Sequence, residues 1–268
     1  MRQLLLAFQF LTIVPVTVRG EVSEKDMAGS AAFFPVVGAF QGILAAGAAL
    51  LFIKLFSPEV TCGIVVLMLT LTNGGFHIDG LADTFDALAV KTSGDRAFDQ
   101  EKRLSVMKDS STGAIGVTAI VFAVLLKFVF LNFLFLTYPL FTVLCLLFLM
   151  PVFSKWAMIS GMFHGISARQ DGLGKIFIND TGKKTVLFSS LFSIFFCLLT
   201  VPFYPDRTYL NRAIVLVPFL VAVLYVFSFI SVKFCRKMFG GITGDNLGAI
   251  SEISEILFLM VISLWRDQ

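Results

Sequence analysis

Long apolar segments are the feature that most constrains how this chain of 268 residues can fold. A helix that crosses the hydrocarbon core of a bilayer needs about 20 consecutive, mostly apolar residues. Several segments approach that length, and short polar stretches separate them. We therefore predict an all-α, polytopic integral membrane bundle with about seven transmembrane helices and additional interfacial helices. We place the spans at residues 33–56, 60–71, 114–133, 139–160, 185–201, 213–232 and 246–264.

The composition favours a membrane protein over a soluble one. Hydrophobic residues make up 57% of the chain and charged residues 15%, with a mean hydropathy of +0.89, whereas soluble domains carry about 25% charged residues. The net charge of +3 does not indicate a nucleic-acid partner. The four cysteines form no Cys-x-x-Cys pair, so neither a zinc site nor a disulfide framework is predicted. We expect residues 1–268 to form one membrane domain, with residues 3–16 as a packed or interfacial helix.

The distribution of Lys and Arg predicts the orientation in the membrane. With a cytoplasmic N-terminus and seven crossings, 16 of the 21 basic residues fall on the cytoplasmic side, as the positive-inside rule expects. This arrangement counts Lys155 on the cytoplasmic side and Lys127 among the five basic residues on the outer side. The acidic segment and the glycine-rich loops would then all face the cytoplasm.

An acidic motif follows directly on the second apolar segment. Asp79, Asp83 and Asp86 have the spacing i, i+4 and i+7, so in a helix over 79–88 they share an arc of about 60°. Three such carboxylates repel one another, and a divalent cation that prefers oxygen ligands, Mg²⁺ or Mn²⁺, relieves the repulsion. The alternative is a solvated acidic face on an interfacial helix. His77 is a candidate ligand, proton donor or structural hydrogen-bond partner.

Residues 75–113 form the longest charged stretch, which we predict to be a cytoplasmic active-site loop and helix. The stretch ends in Arg103-Leu-Ser-Val-Met-Lys108-Asp109-Ser-Ser-Thr-Gly113. Backbone N–H groups of the Ser-Ser-Thr-Gly turn could meet a phosphate at a helix N-terminus, and Lys108 and Arg103 could neutralise diphosphate charge. The alternative is an ordinary N-cap with flanking basic residues.

A second acidic cluster opens the last span, within a predicted cytoplasmic Gly-Asp loop at residues 233–256. Asp245 follows Gly240-Gly-Ile-Thr-Gly244, and Glu252 and Glu255 (i, i+3) enter the membrane on one face. Carboxylates inside a span usually face the bundle interior, where they are paired or bound to metal. The alternative is helix capping by Asp245 combined with snorkelling glutamates.

Two weaker candidates complete the set. Asp171-Gly-Leu-Gly174-Lys175 is a candidate substrate loop, and Lys155, near the end of the fourth span, is an anchor or a substrate contact. Two acidic clusters and basic, glycine-rich turns thus meet at one membrane face. This combination predicts metal-assisted transfer of a phosphate-linked group, in which the metal neutralises a diphosphate while an alcohol attacks.

The motifs resemble those of the cobalamin synthase family, the adenosylcobinamide-GDP ribazoletransferases, and the resemblance runs nearly end to end. The similar segments are Gly74-Gly-Phe-His77-Ile-Asp79-Gly-Leu-Ala-Asp83-Thr-Phe-Asp86, Gly240-Gly-Ile-Thr-Gly-Asp245-Asn-Leu-Gly-Ala with Glu252 and Glu255, Phe34-Pro35-x-x-Gly38, Met107-Lys-Asp-Ser with Gly113, and Gly172-Leu-Gly with Phe177. The chain departs from the family pattern at Lys155, where the pattern has Arg, and at Ser111 and Thr112, where it is basic.

The resemblance implies the last step of cobalamin nucleotide-loop assembly in the prokaryotic inner membrane. The 5′-oxygen of α-ribazole, or of its 5′-phosphate, attacks the corrinoid-side phosphorus of adenosylcobinamide-GDP and expels GMP, and Mg²⁺ is required. The corrinoid nucleotide, α-ribazole and the lipid bilayer are the implied partners, with a homo-oligomer or a complex with other corrinoid-assembly enzymes as a further expectation.

Motif and resemblance together assign three groups of candidate site residues. The metal ligands are Asp79, Asp83, Asp86, Asp245 and Glu252. The catalytic candidates are His77, Lys108, Asp245 and Glu255, since Asp245 with either glutamate could complete a metal site or activate the alcohol. The substrate-binding candidates are Asn73, Arg103, Asp109, Lys155, Lys175 and Gly244.

Two other classes of membrane protein compete with this interpretation. A CDP-alcohol phosphatidyltransferase also clusters Asp on a helix, but its usual pattern has a longer spacing and an Arg near the first Asp, and this sequence lacks both. A cation-coupled transporter would use intramembrane acids as ion ligands. Here the acids cluster at one face and no internal repeat is visible.

Overall fold

The computed structural model describes residues 1–203 and 207–264, and helices dominate both ranges. They are α1 (Arg2–Leu11), α2 (Glu24–Ser30), α3 (Phe34–Phe52), α4 (Pro58–Thr72), α5 (Phe76–Leu88), α6 (Arg96–Val106), α7 (Ala114–Thr137), α8 (Leu140–His164), α9 (Leu173–Asp180), α10 (Lys183–Thr200), α11 (Arg207–Phe239) and α12 (Gly244–Leu264). Within these ranges no β-strand forms, and the all-α prediction is confirmed. The predicted N-terminal helix corresponds to α1.

The number of membrane spans agrees with the sequence prediction. Six helices in the described ranges are long and apolar enough to cross a bilayer, and the count becomes seven if α4 and α5 are taken as one bent span. The axes of α4 and α5 differ by 87°. The bend occurs at Gly74 and Gly75, whose φ angles of +65° and +78° lie in the left-handed region that favours glycine.

Helix α8 lies at the centre of the bundle and is the most deeply buried of the candidate spans. Helix α3 packs closely against it because Gly38 and Gly42 have no side chains. A Cβ atom at Gly38 would lie 2.5 Å from the carbonyl oxygen of Pro151, and one at Gly42 would lie 2.3 Å from that of Phe148. Small residues four apart allow this close approach of helix backbones in membranes.

A second close contact joins α5 to the first half of α12. A Cβ atom at Gly80 would lie 2.7 Å from the carbonyl oxygen of Asp245, and one at Gly248 would lie 3.1 Å from the Cα of His77. The side chain of Asn246 strengthens this contact, since its Nδ2 donates to the Thr84 hydroxyl at 3.1 Å. The acidic motif of α5 is thereby fixed beside the beginning of α12.

Candidate active site

Helix α5 carries the three aspartates of the acidic motif, and the helix predicted over 79–88 is confirmed. Asp79 is exposed, whereas Asp83 is half-buried. The carboxylates of Asp79, Asp86 and Asp245 lie near enough to Asp83 to act on its charge, and so does the guanidinium of Arg169. Asp79, Asp83, Asp86 and Asp245 are hereafter called the face acids.

The hydrogen bonding of the face acids differs from one residue to the next. Among the side chains and backbone groups that the structure describes, none donates a hydrogen bond to the carboxylates of Asp79 or Asp83. Asp86, in contrast, accepts from the backbone N–H groups of Gly113 at 2.6 Å and Gly116 at 2.7 Å. Asp86 therefore caps the N-terminus of α7 from a neighbouring helix and satisfies N–H groups that have no partner within α7.

This capping changes the interpretation of the Ser-Ser-Thr-Gly turn. The turn was predicted to offer backbone N–H groups to a phosphate, but those of Gly113 and Gly116 already donate to Asp86. Negative charge at this helix end is favourable because of the helix dipole. The anion that the sequence placed at the start of α7 is thus a carboxylate of the protein itself.

Two loops place Asp245 and Arg169 side by side. The N–H of Ile242 donates to the carbonyl of Ile166 at 2.8 Å, and the N–H of Ala168 donates back to the carbonyl of Ile242 at 2.9 Å. One guanidinium nitrogen of Arg169 then lies 2.9 Å from Asp245 Oδ2. Arg169 was not predicted as a site residue, because the Asp partner that reveals its role is 76 positions away.

Helix α12 begins with a reciprocal cap that orients Asp245. The N–H of Asn246 donates to the Thr243 hydroxyl at 3.2 Å, and the N–H of Thr243 donates to the Asn246 side-chain oxygen at 3.0 Å. This capping-box arrangement fixes the start of the helix. The alternative of capping by Asp245 is therefore wrong, because Thr243 and Asn246 form the cap and Asp245 pairs with Arg169.

Deeper in the bundle, four buried charged side chains form an interior cluster of Lys127, Lys155, Glu252 and Glu255. Lys127 Nζ lies 2.6 Å from Glu252 and 2.5 Å from Glu255. Lys155 Nζ lies 3.8 Å from Glu255 and donates to the Ser251 hydroxyl at 3.1 Å. Two cations and two anions give a formally neutral group, which reduces the cost of burying charge.

The interior cluster revises where the sequence analysis placed three residues. Lys127 was counted on the outer side of the membrane, but it is buried and joins α7 to α12. Lys155 was placed near the end of a span, but it is fully buried within α8. Both placements were wrong because charge counting assumes that each basic residue flanks the end of a membrane span. These two lysines instead neutralise Glu252 and Glu255 inside the bundle.

The glutamates are therefore separated from the face acids along α12. Glu252 lies seven residues beyond Asp245, which is about 10 Å along a helix axis. Both glutamates bind Lys127. A signal for this pairing was present in the sequence, because two acids inside one apolar span need cations from other spans, and Lys127 lies within such a span.

His77 and Asn73 form a buried hydrogen-bonded pair at the start of α5. Asn73 Nδ2 lies 3.3 Å from His77 Nδ1, and the Asn73 side-chain oxygen accepts from the N–H of Gly75 at 3.0 Å. Both side chains are buried, and His77 is packed against the backbone of Gly248. These contacts hold the bend between α4 and α5. Among the roles considered for His77, they support that of a structural hydrogen-bond partner.

The basic residues of α6 and the turn that follows are used in different ways. Arg103 is buried and donates to the carbonyl of Met238 at 3.2 Å, which caps the C-terminal end of α11. Lys108 and Asp109 are exposed. Hydrogen bonds from the hydroxyl and N–H of Ser111 hold the pKa of Asp109 below its usual value. Lys108 is thus the basic side chain of this turn that remains open to a ligand.

The predicted substrate loop lies next to the start of α12. A Cβ atom at Gly174 would lie 3.2 Å from the backbone nitrogen of Gly244. Gly244 is exposed, and Lys175 donates to the carbonyl of Gln170 at 2.9 Å. The loop, Gly244 and the Arg169–Asp245 pair therefore occupy one end of the bundle.

The donor chemistry at this end can be compared with the needs of Mg²⁺. Within the described part of the chain, no three His, Cys, Asp or Glu side chains converge into a ready ligand set. Mg²⁺ in phosphate-transfer sites, however, is usually held by one or two carboxylates, with water and substrate phosphate as the other ligands. Asp79 and Asp83, which accept no hydrogen bond, fit that requirement.

Fold and site together define a multi-pass helical membrane protein with an acidic site at one end of its bundle. The family model of cobalamin-5-phosphate synthase matches residues 3–263. The chain belongs to this family.

Three relatives cover almost the whole chain, and each is called adenosylcobinamide-GDP ribazoletransferase. The protein of Thermodesulfovibrio yellowstonii is 37% identical over 96% of this chain and 94% of its own length. The protein of Geotalea daltonii is 34% identical over 98% of this chain and 97% of its own length. The protein of Clostridioides difficile is 33% identical over 98% of this chain and 98% of its own length. No solved structure matches the chain.

Proposed function

We propose that this chain is a membrane transferase that joins adenosylcobinamide-GDP to α-ribazole, or to α-ribazole 5′-phosphate, and releases GMP. The observation that carries the proposal is the set of four face acids with Arg169, assembled from motifs 160 residues apart in a chain that matches the family from residue 3 to residue 263. The phosphatidyltransferase and transporter alternatives receive no support from the comparisons.

Asp79 and Asp83 are the proposed ligands of Mg²⁺, with Asp245 as a further carboxylate whose charge acts on Asp83. When bound, Mg²⁺ would neutralise diphosphate charge and stabilise the departing phosphate. Lys108 and Lys175, at the same end, are the proposed contacts to the remaining anionic groups of the substrate. Asp86 supports this site by fixing the start of α7.

The interior cluster has a different proposed role. Glu252 and Glu255 are bound by Lys127, so we assign them to holding α12 against α7 and α8 rather than to metal binding or alcohol activation. Lys155 and His77, which are buried, belong with this support. The alcohol-activating base is then sought among the face acids, with Asp245 as the candidate.

The proposed location is the inner membrane of a bacterium, with the face acids toward the cytoplasm. The basic residues on the same side as the face acids outnumber those on the other side even when Lys127 and Lys155 are assigned to the interior, which supports this orientation. Association with another copy or with other corrinoid-assembly enzymes stays a prediction.

The activity is tested with purified protein in liposomes. GMP release from adenosylcobinamide-GDP and α-ribazole is followed in Mg²⁺ and in EDTA. We expect Mg²⁺-dependent release that falls about 1,000-fold in Asp83→Asn, as for loss of one group that stabilises transition-state charge. Asp180→Asn, an exposed aspartate at the end of α9, is the matched control and should retain activity.

Two results would count against the proposal. A well-folded wild-type protein that releases no GMP would exclude the transferase, and uptake of a solute by the liposomes without turnover would favour the transporter. Full activity in Asp83→Asn would keep the reaction and move the metal site away from α5.

A further inference from the structure

The pairing of Arg169 with Asp245 has the geometry of an exchangeable contact. The two side chains are 23% and 25% exposed, so the pair lies at the edge of the protein and not in its core. A second donor to Asp245 is the Thr243 hydroxyl, at 3.4 Å. An ion pair this exposed contributes little stability, and its geometry therefore calls for another explanation.

Arg169 also carries a donor that the protein leaves unused. Its Nε is buried, yet it has no hydrogen-bond partner among the described residues. Leaving a buried donor unpaired costs free energy, and such groups in native structures need an explanation. The planar guanidinium offers donors in a fixed fork that matches phosphate oxygens, so a phosphate group is the chemistry that would satisfy it.

Two glycines close in sequence to the pair have open space on the side where a side chain would stand. A Cβ at Gly244 or at Gly172 would meet no atom of another part of the protein within 4 Å. The loop itself is held in place, because a Cβ at Gly241 would lie 2.5 Å from the carbonyl oxygen of Ile166. Arg169 is thus fixed at its backbone, while its side chain stays partly exposed.

The charge balance favours an anionic ligand at this position. Arg169 is the basic side chain that acts on the charge of Asp83, which otherwise faces Asp79, Asp86 and Asp245. A diphosphate approaching Asp83 meets repulsion from these carboxylates, and the guanidinium of Arg169 offsets that repulsion beside Asp83. A divalent cation held by Asp79 and Asp83 would offset the charge of the acids, and the Arg169 guanidinium would donate directly to the phosphate oxygens.

We propose that Arg169 binds the diphosphate of the nucleotide-linked substrate, and that Asp245 holds Arg169 in position until the substrate arrives. On binding, the guanidinium exchanges the Asp245 carboxylate for phosphate oxygens, and Asp245 becomes free to face the cation or the attacking alcohol. This inference rests on the proposed function, since it names the group that recognises that substrate.

The inference is tested by the affinity for GDP in detergent solution without Mg²⁺. Arg169→Gln should weaken GDP binding tenfold or more, and Arg169→Lys, which keeps the charge but loses the fork, should weaken it less. Arg19→Gln removes an equal charge from an exposed loop position and should bind as the wild type does. Arg169→Lys and a thermal melt of each variant separate loss of binding from loss of folding.

The exchange is tested by a double-mutant cycle with Asp245→Asn. If Asp245 competes with phosphate for Arg169, Asp245→Asn should tighten Mg²⁺-free GDP binding, and this gain should vanish when Arg169→Gln is present. A gain of equal size in both backgrounds reflects general charge and would overturn the exchange. Unchanged GDP affinity in Arg169→Gln would overturn the assignment of Arg169.

The outcome for Arg169 is distinct from the outcome for the reaction. A wild-type protein that releases no GMP, but whose GDP affinity depends on Arg169, would remove the proposed function and leave the phosphate site. A wild-type protein that does release GMP, with an Arg169→Gln variant whose KM for adenosylcobinamide-GDP is unchanged, would keep the proposed function and remove Arg169 as the phosphate contact.

Discussion

The interior cluster and the face acids contain similar groups in opposite states. In the interior cluster, Glu252 and Glu255 lie within 2.6 Å of Lys127, and all of these side chains are buried. At the face, Asp79 and Asp83 accept no hydrogen bond from the described residues. The protein neutralises Glu252 and Glu255 in its interior and leaves Asp79 and Asp83 without a paired cation among the described side chains.

This difference separates stability from function. A buried acid without a partner would destabilise the bundle, so each missing member of the cluster should lower the free energy of unfolding. Unpaired acids at the surface cost less, because water screens their repulsion, and they remain available to a cation. Proteins hold unfavourable arrangements at functional sites when the rest of the structure is stable enough to retain them.

The largest expected effect on stability follows from removing Lys127. Lys127→Met leaves two buried glutamates with Lys155 as their remaining cation, and we expect a loss of about 3–5 kcal/mol in the free energy of unfolding. Thermal and denaturant unfolding in detergent measure it. Adding Glu252→Gln restores neutrality and should recover part of the loss. A single variant as stable as the wild type would show that the cluster is not a structural unit.

Asp83→Asn should affect activity and not stability, whereas Lys127→Met should lower stability. It removes repulsion among the face acids, so the melting temperature without Mg²⁺ should stay the same or rise while activity is lost. The stabilising effect of added Mg²⁺ should also shrink, because the variant binds the ion less tightly. A clear drop in the melting temperature would contradict the division between the two regions.

Gly80→Ala tests the contact that holds α5, with its three aspartates, against the beginning of α12. The new methyl would overlap the backbone of Asp245, with 2.7 Å between its carbon and the carbonyl oxygen. We expect a loss of about 1–3 kcal/mol, the usual cost of overpacking, together with reduced activity. Gly47→Ala, within α3, where a Cβ would meet no atom of another part of the protein within 4 Å, is the control. It should leave activity unchanged and stability unchanged or slightly higher, because Ala favours the helix.

Asp86→Asn separates capping from metal binding among the face acids. The carboxylate accepts from two backbone N–H groups, and Asn keeps one oxygen acceptor but not the charge, so Asp86→Asn should cost about 0.3–1 kcal/mol of stability at this helix N-terminus. Activity should fall less than in Asp83→Asn. Equal loss of activity in both variants, with no loss of stability in Asp86→Asn, would make Asp86 a metal ligand.

The smallest expected effect concerns Asp99, outside both regions. Hydrogen bonds from the Thr92 hydroxyl and from the hydroxyl and N–H of Ser93 lower the pKa of Asp99 to about 2. Because the folded pKa is below the ordinary value of 3.8, Asp99 stabilises the fold above pH 4, and this contribution is lost as the pH falls toward 2. Melting curves of Asp99→Asn should show a weaker pH dependence in that interval.

The sequence was sufficient for the features that depend on local periodicity. Apolar length predicted the spans, and the spacing of Asp79, Asp83 and Asp86 predicted the helix and its acidic face. The site at one end of the bundle followed from the positions of Asp245 and Gly244 in the second motif. These features need no knowledge of which helices are neighbours.

The features that were missed depend on contacts between distant segments. Lys127 and Glu252 are 125 positions apart, and Asp86 is 27 positions from the N–H that it caps. A charge-counting rule has no means of telling a flanking lysine from one that neutralises a buried glutamate. Arg169 likewise became visible only when two loops paired and brought it to Asp245.

The two glycines between α5 and α12 have a mechanical consequence. With the backbones in contact at Gly80 and Gly248, the two helices have no compressible layer of side chains between them and must move together. A shift of α12 in the interior would therefore be transmitted to the aspartates at the face without attenuation. Because the backbone of the loop that carries Arg169 is also held, the exchange of partners at the site falls to the guanidinium side chain, with α5 as a fixed wall beside it.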